Sequence, residues 1–221
     1  YNEDKSKVII YNGEVYNFKE LKEALLKKKH VFKTKTDTEV ILHGYEQWGE
    51  KLPSHLRGMF SFAIWDKNKN ELFMARDGFG IKPLYYAKFN DTFMFASEPK
   101  AFLAHPDFEK KLNTDILSAY LCFNSVPTSE TFFKGVYRLD PGSYLIYKDG
   151  KIKTKSFFTL EFKEKNDDID KIVDNIDKAM KNSVEYHQIS DVEVGSFLSS
   201  GIDSSYIVSL AKPDKTFTVG Y

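Results

Sequence analysis

Three short stretches of this chain carry residue types and spacings suited to chemistry. In YNGEVYN, residues 11–17, Asn12 offers a side-chain amide donor and Gly13 a main-chain N–H that no side chain screens. Two convergent donors are what an oxyanion hole needs, and loss of one costs about 3–4 kcal/mol of transition-state stabilisation. An ordinary Asn-Gly turn after the apolar run VIIY is the simpler reading of the pair alone. In TKTDTEV, residues 34–40, Asp37 begins a helical pattern. A carboxylate there is stabilised by the helix dipole, and it could also hold a substrate ammonium group. In SFLSSGIDSS, residues 196–205, a loop of small residues joins an apolar run to a helical one. Main-chain N–H groups at such a helix start suit phosphate or pyrophosphate. No Gly-Lys-Ser/Thr follows, so this is not a Walker A loop, and Asp203 would repel phosphates unless a magnesium ion lay between them.

Other reactive types read as structure. His30, His43, His55, His105 and His187 share no metal-ligand spacing, which assigns no zinc site. Cys122 falls in the apolar pattern ILSAYLCF and is expected in a core. Arg76, Asp77 and Lys82 in ARDGFGIKP are expected to bracket a turn, and GFG there is too short to argue a nucleotide loop.

The elements that must position these groups follow from periodicity. Residues 8–11 read as a strand. Asn17 with Glu20 forms a capping-box pattern ahead of a helix bearing Phe18, Leu21, Leu25 and Leu26 on one face. Thr36 and Glu39 repeat that signature before a helix with Ile41, Leu42, Tyr45 and Trp48, ended by Gly49. MFSFAIWDKNKNELFMARD, KPLYYAKFNDTFMFAS and GSYLIYKDGKIKTKSFF each read as a hairpin, predicting a largely antiparallel sheet. Short helices are expected around EPKAFLAH and TDILSAYLCF. The charged stretch EFKEKNDD, residues 161–168, serves as a linker. Past it come a helix with the stripe Ile169, Ile172, Val173, Ile176, Met180 and Val184, a buried strand VEVGSFL, a helix SYIVSLA and a strand TFTVGY. That order is a βαβ unit. A boundary near residue 160 therefore divides a domain 1–160 from the start of another, 161–221.

Composition limits the classes of function. Among 221 residues, 32 lysines and arginines balance 32 aspartates and glutamates, so no net field draws the chain to nucleic acid or a membrane surface. No apolar run approaches the roughly 20 residues of a membrane span, no leader pattern is present, and one cysteine suits a reducing compartment. A cytoplasmic location is the expectation. Tyr1 in place of methionine, and a strand that stops at the last residue, read as a fragment.

Seven motifs occur in one order: YNGEVYN, TKTDTEV, RGMFSFAIWD, ARDGFGIKPLYY, FASEPKA, RLDPG and SFLSSGIDSS. In that order the chain resembles the glutamine-hydrolysing asparagine synthetases over essentially its whole length. The resemblance implies an α+β fold whose first domain is an N-terminal-nucleophile glutaminase, two antiparallel sheets between helix layers. An α/β ATP pyrophosphatase domain of the PP-loop type would start after it. It implies an oxyanion hole at Asn12 and Gly13, glutamine bound by Asn12, Gly13, Glu14 and Asp37, and Asp37 on its α-ammonium. Leu198, Ser199, Gly201, Ile202, Asp203, Ser204 and Val219 would take ATP and pyrophosphate, with magnesium at Asp203 through pyrophosphate. Ser200 departs from the family's glycine, so either its φ is negative or the loop differs. The implied reaction consumes glutamine, aspartate and ATP and passes through β-aspartyl-AMP to asparagine, glutamate, AMP and pyrophosphate. The nucleophilic cysteine, whose own α-amine would accept the proton, and an arginine for the glutamine carboxylate would belong to a segment before Tyr1, so the piece alone is expected to be inactive. A homodimer is one assembly the resemblance allows at full length. Two other readings stand beside it: a β-lactam-synthetase-like amide ligase with an inactive glutaminase domain, and a non-catalytic glutamine-binding module.

Overall fold

The computed structural model describes residues 1–164 and 167–220, in two compact units, 1–160 and 161–221. The expected linker includes residues 165 and 166, which lie outside the described residues. In the first unit the order is β1 (Lys7–Val15), α1 (Phe18–Lys27), α2 (Asp37–Trp48), β2 (Gly58–Asp66), β3 (Glu71–Arg76), β4 (Tyr85–Phe89), β5 (Thr92–Ala96), α3 (Leu117–Phe123), β6 (Val136–Arg138), β7 (Ser143–Lys148) and β8 (Lys151–Ser156). The strands form two antiparallel sheets, β1-β2-β3-β7-β8 and β5-β4-β6.

Side-chain alternation sorts the larger sheet into two faces. Phe60, Phe62, Ile64, Phe73, Ala75, Tyr144 and Ile146 pack with Leu21 and Leu25 of α1 and Val40, Ile41, Leu42 and Tyr45 of α2. The residues between them, Ala63, Leu72, Met74 and Leu145, turn to the other face and meet Tyr86, Phe93 and Phe95 of the smaller sheet. Beyond that sheet, Phe102 of the short helix Pro99–Ala104 covers Ala87 and Val136. The resulting layers are helix, sheet, sheet, helix, as the resemblance implies. The three expected hairpins are β2–β3, β4–β5 and β7–β8; Asn90 and the Asp149-Gly150 pair take the positive φ their tight turns require.

The second unit holds α4 (Ile169–His187), β9 (Ser196–Phe197), α5 (Ile202–Ala211) and β10 (Thr216–Phe217), with β9 and β10 parallel. This is the expected βαβ order, but the predicted buried strand 192–198 reduces to two residues. Val192 and Phe197 are both 77% exposed, because this sheet has only two strands among the described residues and nothing there covers its apolar side chains. Of the α4 stripe only Val184 is buried.

Further local expectations are corrected. The first strand does not break at Asn12-Gly13; pairing with β2 runs on to Val15, so the pair is strand and not turn. Neither Asn17 nor Thr36 caps its helix through the side chain. Asn17 instead accepts from Arg57 N at 2.9 Å and donates to His55 O at 2.9 Å, while Glu39 accepts from Thr34 N, Thr34 Oγ1 and Lys33 N. Both side chains satisfy neighbouring loops, which compete with the helix ends for the same acceptors. Cys122 is exposed on α3, a helix with no buried residue, and not in a core.

Candidate functional site

The C-terminal half of β1 and the first turn of α2 meet at one carboxylate. Asp37 Oδ2 accepts from Tyr11 Oη at 2.7 Å and from Val15 N at 2.9 Å. The two donors flank Asn12, Gly13 and Glu14, so the fold brings together the two motifs that lie apart in the sequence. Tyr11 belongs to the helix-facing side of β1 and packs on the core there; burial, then its bond to Asp37, raises its phenol well above the ordinary value and keeps it a donor. Both bonds use one oxygen of Asp37. The residue stands at the start of α2, where the helix dipole adds to the stabilisation of its charge.

Gly13 lies opposite Phe60 in the β1–β2 ladder at φ +150°. A Cβ there would run into Met59 O and stand 2.7 Å from Phe60 Cα, both main-chain atoms, so only glycine permits this approach. Asn12 and Glu14 are exposed, and Asn12 lines a cavity of about 210 Å³ with Ser61, Leu84, Phe95 and Ser97 among others. The amide of Asn12 thus borders open space next to a main chain held in fixed register.

That register is anchored from beneath by the ARDGFGIKP loop. Asp77, 1% exposed, accepts from Phe60 N at 3.2 Å, Phe79 N at 3.1 Å, Ile81 N at 2.9 Å and Lys82 N at 3.0 Å. Arg76 donates to Lys82 O and Leu139 O, both at 2.7 Å. The sequence assigned this pair to a turn, and the structure adds that the turn grips the residue opposite Gly13. Nothing in residue spacing signals the contacts to Phe60 or Leu139.

In the second unit, Leu198 follows β9 and donates its N–H to Phe217 O at 2.8 Å, while Val219 follows β10; both stand at the carboxyl ends of parallel strands. Ser199, Ser200 and Gly201 lead into α5, whose first turn holds Ile202, Asp203 and Ser204. Ser199 Oγ and Ser204 Oγ are 3.1 Å apart, and Ser204 and Ser205 donate to Gly201 O. Ser200 has φ +60°, which settles the alternative left by the sequence: the serine occupies a left-handed position where glycine costs least. Asp203 is exposed. Crevices at the carboxyl ends of strands, beside a helix N-terminus, are where open α/β sheets bind ligands. The sequence spacing assigned no metal role to the histidines, yet His30, His43 and Glu46 converge in the fold.

Comparison with known proteins accords with this architecture. Residues 1–158 match the family described as glutamine amidotransferase domain, and residues 175–221 match asparagine synthase. Glutamine-hydrolyzing asparagine synthetase 1 of Bacillus subtilis strain 168 is 47% identical over 225 residues, covering 99% of this chain and 35% of its own length. Asparagine synthetase 3 of the same organism is 39% identical, covering 92% and 33%. The chain spans about a third of these relatives. A solved structure titled as the allosteric regulatory enzyme of purine biosynthesis shares the fold at TM-score 0.50 and 21% identity, over 95% of this chain and 44% of that one. Among the described residues no helix is long and apolar enough to cross a membrane. The match over residues 1–158, carried by a four-layer sandwich with YNGEVYN on its first strand, makes this chain a member of the glutamine amidotransferase domain family.

Proposed function

We propose that the first unit hydrolyses glutamine and that the second begins a domain that activates aspartate with ATP, so that the protein makes asparagine by glutamine-dependent amidation. The observation that carries the glutaminase half is the Asp37 carboxylate bonded to Tyr11 and Val15 on either side of Asn12, Gly13 and Glu14, with Asn12 at a cavity. In this reading the α-ammonium of glutamine pairs with Asp37 and Glu14 lies beside the substrate. The amide N–H of Asn12 and the main-chain N–H of Gly13 receive the oxygen that becomes negative as a thiol adds to the side-chain amide carbon. Ammonia leaves, and water hydrolyses the thioester to glutamate. Strand pairing holds the main chain of Asn12 and Gly13 before the reaction, so the Gly13 donor needs little reorganisation as charge develops. The thiol is assigned to an N-terminal cysteine, with its own α-amine as proton acceptor; Cys122, on α3, does not line the Asn12 cavity.

For the second unit, Ser199, Gly201, Ile202 and Ser204 are assigned to the pyrophosphate part of ATP, and Leu198 and Val219 to the adenosine part. The exposed carboxylate of Asp203 suits a hard cation that takes oxygen ligands, and it would hold magnesium bound to pyrophosphate. When bound, magnesium neutralises phosphate charge. The asparagine synthase match over residues 175–221 supports reading this unit as the start of a synthetase domain.

The test is asparagine formation by the gene product containing these residues, with glutamine or ammonia as donor. The proposal expects both donors to work. ATP cleavage without asparagine from either donor would refute the aspartate assignment, and asparagine from ammonia alone would refute the glutaminase assignment.

A further inference from the structure

We propose that His30, His43 and Glu46 bind a divalent transition-metal ion of the zinc class, at a site separate from the glutamine and pyrophosphate readings. Sequence spacing conceals it: His30 lies in the connection after α1, and His43 and Glu46 are a turn apart on α2. One potential ligand atom of each residue lies within 4.8 Å of the other two. Glu46 Oε2 is 2.8 Å from His43 Nδ1 and 3.7 Å from His30 Nδ1. Donor atoms around tetrahedral zinc, with bonds of about 2.0–2.1 Å, stand about 3.3–3.5 Å apart. The widest separation closes by a swing of the His30 side chain, which a connection permits more readily than a helix.

The outer atoms of the three residues are also placed for an ion. Glu46 Oε1 accepts from Asn2 Nδ2 at 2.7 Å, leaving Oε2 toward the histidines. His30 Nε2 stands 3.4 Å from Gln47 Oε1. His43 Nε2 faces Glu39 Oε1 at 3.6 Å and Glu3 Oε1 at 3.7 Å. Each ligand therefore turns one polar atom inward and the other to an outer group, the arrangement that fixes ring orientation and tautomer in metal-bound histidines.

His43 gives an independent reason. Its side chain is 1% exposed, and its Nε2 has no hydrogen-bond partner. Carboxylate oxygens of Glu46, Glu39 and Glu3 surround the ring at 2.8, 3.6 and 3.7 Å, so the surroundings call for positive charge at His43, which a second ring proton or an ion on Nδ1 supplies. An ion on Nδ1 puts the ring proton on Nε2, pointing at two carboxylates. Glu3, Glu39 and Glu46 outnumber the nearby Lys7, whose Nζ is 3.7 Å from Glu46 Oε1, so the surroundings favour a dication. Two imidazoles and one carboxylate select zinc, cobalt or nickel over magnesium or calcium, which prefer oxygen alone. The ion would tie the connection after α1 to the helix that begins with Asp37.

Zinc chloride titrated by calorimetry into the chelator-treated full chain tests the site, with cobalt(II) substitution read by visible absorption. One ion per chain, a zinc-dependent rise in Tm and a tetrahedral cobalt spectrum are expected. His30→Asn and Glu46→Gln should each weaken binding at least about 10-fold. His105→Asn, outside the cluster, should leave it unchanged. If Glu46→Gln fails to fold, judged by circular dichroism, His30→Asn on the connection decides alone. Substoichiometric zinc, or equal affinity in the His30 variant and the parent, overturns the proposal.

Discussion

Asp37 and Asp203 both sit in the first turn of a helix, yet one is fixed by the fold and the other by its own loop. Asp37 is half-buried and receives hydrogen bonds from residues 22 and 26 positions away. Asp203 is exposed, just after a loop whose serines, with those of the first helical turn, bond partners no more than five residues away. The difference extends to the surrounding units. Phe60, Phe62 and Phe73 are almost wholly buried around the first site, whereas Ile202, beside Asp203, is 89% exposed. A site held by long-range contacts is preorganised but sensitive to its core. A site built from local contacts tolerates change in its surroundings and depends on the intrinsic preferences of its own residues.

The sharpest way to break this contrast is Phe73→Ala. Its ring packs with those of Tyr45, Phe62 and Tyr144, and truncation should destabilise the first unit by about 3–5 kcal/mol in chemical denaturation. Val173→Ala on α4, 58% exposed, should shift stability by no more than about 0.5 kcal/mol. Equal losses would mean that the second unit has a core of the same quality.

Asp37→Asn comes next. A neutral acceptor weakens both bonds to β1, by about 1–2 kcal/mol together, and glutamine should bind more weakly in steady-state kinetics. Asp203→Asn should leave folding stability unchanged, since that carboxylate is exposed.

A pH series probes the first core in another way. Burial, then the bond to Glu50, pushes the Tyr144 phenol from 10.0 up to about 12. Below pH 10 both folded and unfolded states keep the proton and this contribution is fully present; between about 10 and 12 only the unfolded state ionises, so it is lost as pH rises. Tyr144→Phe should therefore flatten the alkaline fall in stability over that interval. An unchanged slope would show that the hydroxyl is not held neutral by the fold.

Ser200→Gly should stabilise its loop slightly. Relief of a left-handed serine, roughly 1–2 kcal/mol, is offset by the entropy of glycine, about 0.5–1 kcal/mol, so the net gain is about 0–1.5 kcal/mol. Hydrogen exchange of the residue 199–205 amides reads it, and a loss of protection would contradict the strain.

The contrast also explains what the sequence made legible. Alternating apolar residues announced β2, β3, β4, β5 and β7, because strand periodicity is local, and Gly49 announced the end of α2. Motif order pointed to Asn12, Gly13, Asp37 and the serine loop. The error at Asn12-Gly13 arose because a two-residue turn signal carries no information about the partner strand that continues through it. The predicted caps failed for a related reason: Asn17 and Glu39 found better-placed loop partners. Tyr11 as the anchor of Asp37, Asp77 as the clamp on Phe60, and the meeting of His30 with His43 all depend on contacts between distant segments, which no window of sequence contains.

The most direct measurement is the steady-state rate of Asn12→Ala in the complete enzyme, with glutamine and with ammonia as alternative donors. The account predicts a fall of about 10²–10³ in kcat for glutamine hydrolysis, with ammonia-dependent asparagine formation kept at the parent rate. Undiminished glutamine hydrolysis in that variant would contradict it.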